Sequence, residues 1–376
     1  MPNLSFRSSI TPIGEIASRL KVGLVFNDPY FSGMGVYKGA EEDVLREVEA
    51  VFKALEESGH VVEPIPVTDD FSNFFNLISS KNLDVVFNLC ERMWDDSWGE
   101  ILMAHMLEIN EISFTGSDPK ALWLALNKDK TKTVLNLFGI RTPSFKLFAT
   151  EKDALDVREP SRLSSTQAQS NDDLNFPLII KPNLEDGSLG IDSSSVIWDI
   201  KSLRKKVRAL IKEFKRPVIV EEYINGREFN VSFLGDTALA VGEVEFKLPQ
   251  VEPKVVTYKA KWDRDSNEYK NTITVCPANL NKKTERRIKD IALKATRAIG
   301  CRDYARVDMR MDSLGKIYVI EVNPNPDISP ESGFSKALKA AGISYKAFVN
   351  QVVGFAIQRK KAKYYDSNSK ELGNTG

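Results

Sequence analysis

The chain has 376 residues, enough for two or three domains, in an ordinary globular composition with 52 Lys+Arg against 52 Asp+Glu. A net charge of zero excludes a general nucleic-acid binder, whose affinity comes from neutralising phosphates, but leaves open a local basic pocket for a small phosphate. No apolar run approaches the roughly 18 residues that span a bilayer, so no membrane contact is expected.

Residues 1–20 hold no continuous apolar stretch of the secretory kind. Cys90, Cys276 and Cys301 are dispersed, which gives neither a disulfide framework nor a metal-binding pair and suits a reducing cytoplasm. The only two histidines, His60 and His105, poorly supply a His-based zinc site or a Ser-His-Asp triad. Any chemistry then runs on carboxylates, lysines, arginines and backbone.

In chain order, residues 21–26 read as an apolar strand, followed by a polar loop over 27–39. Val44, Val48, Val51 and Leu55 recur at helical spacing, so 41–58 reads as an amphipathic helix. Gly59 stands where a left-handed C-cap is expected. Strands follow at 60–62 and 83–87, and a helix at 101–109. Such alternation predicts a parallel sheet in an N-terminal α/β domain over 1–118.

A second segment, 119–220, carries a Lys-rich helix over 126–138 and a polar stretch over 151–173 that reads as a mobile insertion. Its apolar strand Leu178–Pro182 is stopped by proline. The third segment, 221–362, follows from a strand at 218–223. It holds a hairpin of 229–234 with 238–244, a helix over 283–299, a second hairpin of 306–311 with 316–323, and a last helix over 345–361. Residues 363–376 read as a flexible tail.

The second hairpin carries the strongest chemical signal. Side chains alternate faces along a strand, so Arg306 shares a face with Asp308, and Glu321 with Asn323. Pairing Met311 with Lys316 sets Arg306 opposite Glu321 and gathers all four polar groups on one surface. Val307, Met309 and Met311 would then point away with Tyr318, Ile320 and Val322. Two carboxylates and an amide beside an arginine make a hard-oxygen site of the kind magnesium shares with substrate phosphates. An exposed hairpin with a surface ion pair is the plainer alternative.

Other signals are weaker alone. Lys181 precedes Gly187-Ser188-Leu189-Gly190, a loop whose N–H groups can cradle an anion, though the P-loop order is missing. Glu221 and Glu228 could accept hydrogen bonds from a base amine or a ribose, or simply belong to a charged linker. Residues 258–262 read as a loop in which Lys261 reaches a phosphate or only solvent. Lys128 and Lys132, one helical turn apart, could be a solvated face.

Taken in order, Ile180-Lys181-Pro182 with its Gly-Ser loop, EEYINGREFNV at 221–231, YKAKW at 258–262, ARVD at 305–308 and YVIEVNP at 318–324 resemble the ATP-grasp superfamily. Within it, the chain looks like the D-alanine–D-alanine ligase family, with the resemblance strong over 112–332 and weak before. The resemblance implies an N-terminal parallel-sheet domain and two α+β lobes enclosing ATP. It implies an ATP-dependent carboxylate–amine ligase that takes small-molecule substrates, and members that are commonly homodimers.

Matched position by position, the resemblance gives Lys128 and Lys181 the α- and β-phosphates. Glu221 and the Ile224 backbone would face adenine, Glu228 the ribose, and Lys261 the γ-phosphate. Asp308, Glu321 and Asn323 would hold two magnesium ions, with manganese as a substitute. Arg306 would stabilise the oxyanion of a tetrahedral intermediate. Ser332 matches the serine that meets a substrate carboxylate, and Ser188 the first serine of the family's Gly-Ser-Ser loop.

The substrate motifs depart from the pattern. The loop's second serine is Leu189, and the N-terminal motif is replaced by 27–43, where Glu41 or Glu42 is a loose match. The family's His-Gly motif becomes 89–99, with Arg92, Trp94 and Trp98. Its Pro-Gly-Met-Thr becomes Pro326-Asp327-Ile328-Ser329. These changes point to a substrate other than D-alanine, larger or more aromatic, with a dipeptide or a specialised-metabolite conjugate as product. The competing expectations are a D-alanine–D-alanine ligase proper and a nucleotide-binding regulatory protein without turnover.

Overall fold

The structure is a computed structural model that describes residues 19–28, 38–68, 71–93, 96–155, 175–249 and 251–373, with the backbone alone over 38–43, 71–73 and 363–373. The first unit runs β1 (Lys21–Asn27), α1 (Lys38–Glu57), β2 (Val61–Val67), α2 (Phe71–Ser80), β3 (Val85–Leu89) and α3 (Trp98–Ile109). Its strands form the expected parallel sheet in the order β2–β1–β3. Val22, Leu24 and Val25 are fully buried, as a parallel sheet covered on both faces requires. Gly59 closes α1 with φ +85°. The helix α2 has no counterpart in the sequence reading.

The expected Lys-rich helix is α5 (Lys128–Leu137), and a further helix, α4 (Pro119–Leu126), precedes it. The Asp118 side chain accepts from the Ala121 N–H and Pro119 takes the first turn, a start signal legible in the sequence. Asn127, at φ −84° and ψ 90°, breaks the run and makes Lys128 the first residue of α5.

The central lobe comprises β4 (Phe145–Phe148), β5 (Leu178–Pro182), β6 (Val196–Ile197), α6 (Ile200–Phe214) and β7 (Val218–Glu222). Its antiparallel sheet has the order β4–β7–β5–β6. β7 therefore lies inside this lobe, and a boundary at 220/221 cuts a central strand. An apolar run such as Val218–Val220 shows that a strand exists, not which sheet it joins. Of the 151–173 stretch, 151–154 forms a 3₁₀ turn, and 156–173 lies outside the described residues.

The C-terminal lobe contains β8 (Gly226–Leu234), β9 (Thr237–Phe246), α7 (Tyr258–Trp262), α8 (Asn267–Asn271), β10 (Thr272–Val275), α9 (Lys282–Ile299), β11 (Tyr304–Asp312), β12 (Ile317–Asn323), α10 (Gly333–Ala340) and α11 (Tyr345–Gly373). Its sheet has the order β10–β9–β8–β11–β12. The α9 side chains Ile288, Ala292, Ala295 and Ile299 pack on one face with Val231, Val307, Met309 and Val319. The opposite face is left to line a cleft.

Residues 258–262 form a short helix, not a loop, because the Thr257 side chain caps it at the Ala260 N–H. The last helix runs to Gly373, past the residue-361 end expected from the sequence. Its Phe348, Val349, Val352 and Val353 share one core with Val51, Leu55 and Phe87, so the C-terminal lobe is locked to the N-terminal sheet. Among the described residues no helix is long and apolar enough to cross a membrane.

The hairpin register differs from the sequence reading. Met311 pairs with Ile317, Asp308 with Glu321, and Arg306 with Asn323. At the turn this is one residue off the expected pairing. Uncorrected, it would send Glu321 to the α9 side. An irregularity between Asp308 and Met309 leaves Ile320 as an extra residue and restores the alternation. The four polar groups still share a face. Ile320, expected on the apolar side, lines the cleft with Glu321, while Ile317 and Val319 are the buried partners of α9. Tyr318, likewise expected there, packs under Arg141 and sends its hydroxyl to Asp312.

Candidate active site

A cleft of about 590 Å³ lies between the two antiparallel sheets. It is lined by Lys181, Ser188 and Glu221 from the central side, Ile224 from the β7–β8 link and Glu228 from β8. Lys261, Arg306, Asp308, Glu321, Asn323 and Ser332 line it from the C-terminal side. Lys128 is not among its walls. Lys128 joins the site indirectly, with its Nζ 3.0 Å from Glu321 Oε1 and 3.0 Å from Asp186 Oδ1. The Glu42 side chain lies outside the described residues.

Electrostatics hold the acidic end together. Burial opposes charge on Glu321, but Lys128, Lys181 and Arg306 outweigh it, and the carboxyl falls to about 2. Burial likewise opposes charge on Lys128, yet Glu321 and Asp186 hold its pKa above the usual lysine range. Arg306 grips Asp308 at both oxygens, Nε at 2.8 Å and Nη2 at 2.9 Å. Asn230 Nδ2 adds a bond of 2.6 Å to the same carboxylate, and Asn323 Nδ2 one of 3.0 Å. Arg306 is thus first a partner of Asp308. Its Nη1 is the terminal nitrogen that this pair leaves for a ligand.

The donor set fits magnesium. It offers two carboxylates and an amide whose oxygen faces the site on a half-turn of Asn323, with no thiol or imidazole. Among the described residues no group of three or more His, Cys, Asp or Glu forms a self-sufficient metal cluster. Such a set suits an ion that completes its shell with water and substrate oxygens.

At the other end, Glu221 is 1% exposed, with Lys181 at 3.3 Å and Lys132 at 3.4 Å, both on Oε2. Burial opposes its charge, but the two lysines outweigh that and hold it below the usual carboxylate range. Its Oε1 is buried with no hydrogen-bond partner among the described residues, an acceptor that fits an N–H donor brought by a ligand. Lys132 is no solvated face. It is 1% exposed, donates to the Ile320 carbonyl at 3.1 Å, and is pushed down to about 8 by burial.

The Gly-Ser loop holds Gly187, Ser188 and Gly190 at φ +65°, +61° and +71°. Trp262 Nε1 donates to the Gly187 carbonyl at 2.8 Å, and Lys261 Nζ sits 4.7 Å from the Trp262 ring centre. The loop and the Lys261 helix therefore meet over the cleft. Ser332 caps α10, its Oγ accepting from the Ser335 N–H at 3.1 Å.

A smaller adjoining cavity of about 120 Å³ shares Gly187, Lys261, Arg306, Asn323 and Asp327 with the cleft. Its walls add Glu91, Arg92, Glu100, Asp186 and Leu189. Burial pushes the Glu91 and Glu100 carboxyls upward, and Glu100 accepts from Asn325 Nδ2 at 2.8 Å. Trp98 does not face this cavity. It is 40% exposed and flanks a surface groove with Trp123. Trp94 lies outside the described residues. Trp98 thus gives no support to an aromatic substrate pocket.

Two sheets closing on a cleft with convergent lysines, an Arg–Asp–Asn–Glu hairpin and a Gly-Ser loop define an ATP-grasp ligase. The family model described as "D-ala D-ala ligase C-terminus" matches residues 134–354. Over 320 residues the chain is 29% identical to the D-alanine–D-alanine ligase of Aquifex aeolicus, covering 85% of this chain and 98% of that one. It is 31% identical over 254 residues to that of Alcanivorax borkumensis, covering 68% and 72%. A solved D-alanine–D-alanine ligase from Bacillus anthracis, complexed with ATP, shares the fold at TM-score 0.67 and 21% identity over 92% of this chain and 99% of that chain. The chain belongs to the D-alanine–D-alanine ligase-like family of ATP-grasp carbon–nitrogen ligases.

Proposed function

We propose that this chain joins an amino acid or amino-acid-like carboxylate to an amine through an acyl phosphate, releasing ADP and phosphate. One observation carries the reading. Arg306, Asp308, Glu321 and Asn323 face the same cleft as Lys181, Lys261 and the unpartnered oxygen of Glu221.

Glu221 Oε1 accepts from the adenine amine, the Ile224 backbone borders the base and Glu228 takes the ribose. Lys181 meets the α- and β-phosphates, with Lys128 beside them through Glu321. Lys261 lies toward the γ-phosphate. Asp308, Glu321 and Asn323 hold divalent metal, which neutralises phosphate charge when bound. The substrate carboxylate displaces ADP from the γ-phosphoryl group. The amine then attacks the acyl carbon and phosphate leaves. The Arg306 Nη1 faces the oxyanion formed in that attack, and Ser188, Lys261 and α7 cover it from water.

The adjoining cavity is bordered by both signs, Glu91, Glu100, Asp186 and Asp327 against Arg92, Lys261 and Arg306, a setting that suits a substrate carrying both an ammonium and a carboxylate. An amino acid fits that charge. Glu42 and Ser332 are assigned to substrate recognition. The rebuilt 89–99 and 326–329 segments favour a product other than D-alanyl-D-alanine. A mass-spectrometric product screen with ATP, magnesium and pooled D- and L-amino acids tests this. A new mass formed with ADP supports it, and activity confined to D-alanine returns the chain to the cell-wall reaction. ATP binding without ADP formation for any amine removes the ligase reading.

A further inference from the structure

We propose that Arg310 is a positioning residue of the nucleotide cleft, fixing Glu228 for the ribose and tying the 251–257 segment to the cleft floor. The proposal rests on the nucleotide reading above. Arg310 and Glu228 are direct cross-strand partners on β11 and β8. Arg310 Nε lies 3.0 Å and Nη2 2.5 Å from Glu228 Oε2. Both contacts fall on one oxygen, which leaves Oε1 for a ligand hydroxyl.

The same guanidinium reaches two other segments. Nη1 donates to the Ile224 carbonyl at 2.9 Å, on the stretch that borders the base. Nη2 also donates to the Lys254 carbonyl. Its plane lies over the Tyr223 ring, 5.1 Å from the ring centre. The Tyr223 hydroxyl in turn accepts from the Lys254 N–H at 2.9 Å. One planar group thus joins β8, the β7–β8 link and the segment that carries Val255 and leads into the Lys261 helix. Arg310 is 6% exposed, so this cation is kept inside by its partners and not by water.

Lysine cannot substitute. Its ammonium is a point charge with three donors, whereas the arginine fork spans a carboxylate and two carbonyls while stacking on a ring. Arg310→Lys therefore separates charge from geometry, and Arg310→Met removes both at similar volume.

The test uses the full chain as wild type, R310K and R310M, with circular dichroism to confirm folding. Hydrogen exchange without nucleotide reads the tether. Amides over 252–257 exchange about tenfold faster in both variants, the loss of one charge-assisted bond, while α6 is unchanged. Calorimetric titration with MgADP and its 2′,3′-dideoxy analogue reads the ribose contact. The wild type prefers MgADP; R310K weakens it about tenfold, and in R310M the two ligands bind alike.

Wild-type exchange in both variants overturns the tether, and retained preference for MgADP in R310M overturns the role at Glu228. If R310M does not fold, R310K decides both, since wild-type behaviour there contradicts the proposal. Failure of the wild type to bind MgADP removes the nucleotide reading and the ribose half of this proposal. The exchange arm still decides the tether.

Discussion

Lys128 Nζ stands 3.0 Å from Glu321 Oε1, which couples the first residue of α5 to the acidic end of the β11–β12 hairpin. That ammonium also contacts Asp186 and donates to the Glu185 carbonyl, both on the Gly-Ser loop side, so one buried cation joins three segments that meet at the cleft. Deleting it leaves two carboxylates facing each other. Lys128→Met is expected to destabilise the fold by about 3–5 kcal/mol, the range for removing one partner of a buried pair. Denaturant unfolding checks this, and a loss below about 1 kcal/mol would show that the pair is solvated.

The same pair sets a pH dependence. Glu321 is held well below its ordinary value, at about 2 in the fold against 4.5. Its contribution is present in full above pH 4.5 and is lost as pH falls toward 2, where the folded carboxyl also takes its proton. A shift of this size is worth about 3 kcal/mol. Unfolding free energies of wild type and K128M should converge between pH 4.5 and 2. A constant difference across that window contradicts the coupling.

Lys132 behaves oppositely. Burial lowers its pKa to about 8 in the fold from 10.5, so between these values the unfolded chain holds a proton that the folded chain has lost. Folding is therefore favoured as pH rises through that window. Relative to Lys132→Met, the wild type should gain stability from pH 8 to 10. The variant should also weaken MgATP binding, since Lys132 helps to hold Glu221. Equal pH slopes in the two proteins would argue that the ammonium remains charged throughout.

Arg306→Ala and Glu321→Ala should each cut amine-dependent ADP release by about 100–1,000-fold, the usual cost of a lost oxyanion donor or its electrostatic equivalent. Asp308 keeps bonds from Asn230 and Asn323 in the arginine variant, so the hairpin survives. Chelation of divalent metal should abolish turnover in the wild type, and Glu321→Gln should raise the magnesium concentration needed to restore it. Wild-type turnover in either alanine variant refutes the assigned roles.

Much of this cleft was legible because strand alternation survives an error in register. Arg306, Asp308, Glu321 and Asn323 share a face whether the pairing sums are off by none or by two, and the extra residue at Ile320 supplied the compensating step. Lys181 and the Gly-Ser loop were readable for a similar reason, since Pro182 stops the strand just past the lysine. What escaped was tertiary. The four-residue spacing of Lys128 and Lys132 looks the same on a solvated helix and on one pressed against Glu221. Arg310 reads as an ordinary strand residue until Glu228, Ile224 and Lys254 arrive around it. The Trp98 side chain faces a surface groove because α3 turns it outward, which composition alone does not reveal.

Transfer of isotopic oxygen tests the acyl-phosphate account most directly. The enzyme is incubated with ATP, magnesium and the amino-acid pool labelled with oxygen-18 in the carboxylates, and the released phosphate is analysed by mass. An oxygen passed from carboxylate to phosphoryl group places one labelled atom in each phosphate formed with ADP. Unlabelled phosphate during product formation, or AMP with pyrophosphate in its place, would contradict the account.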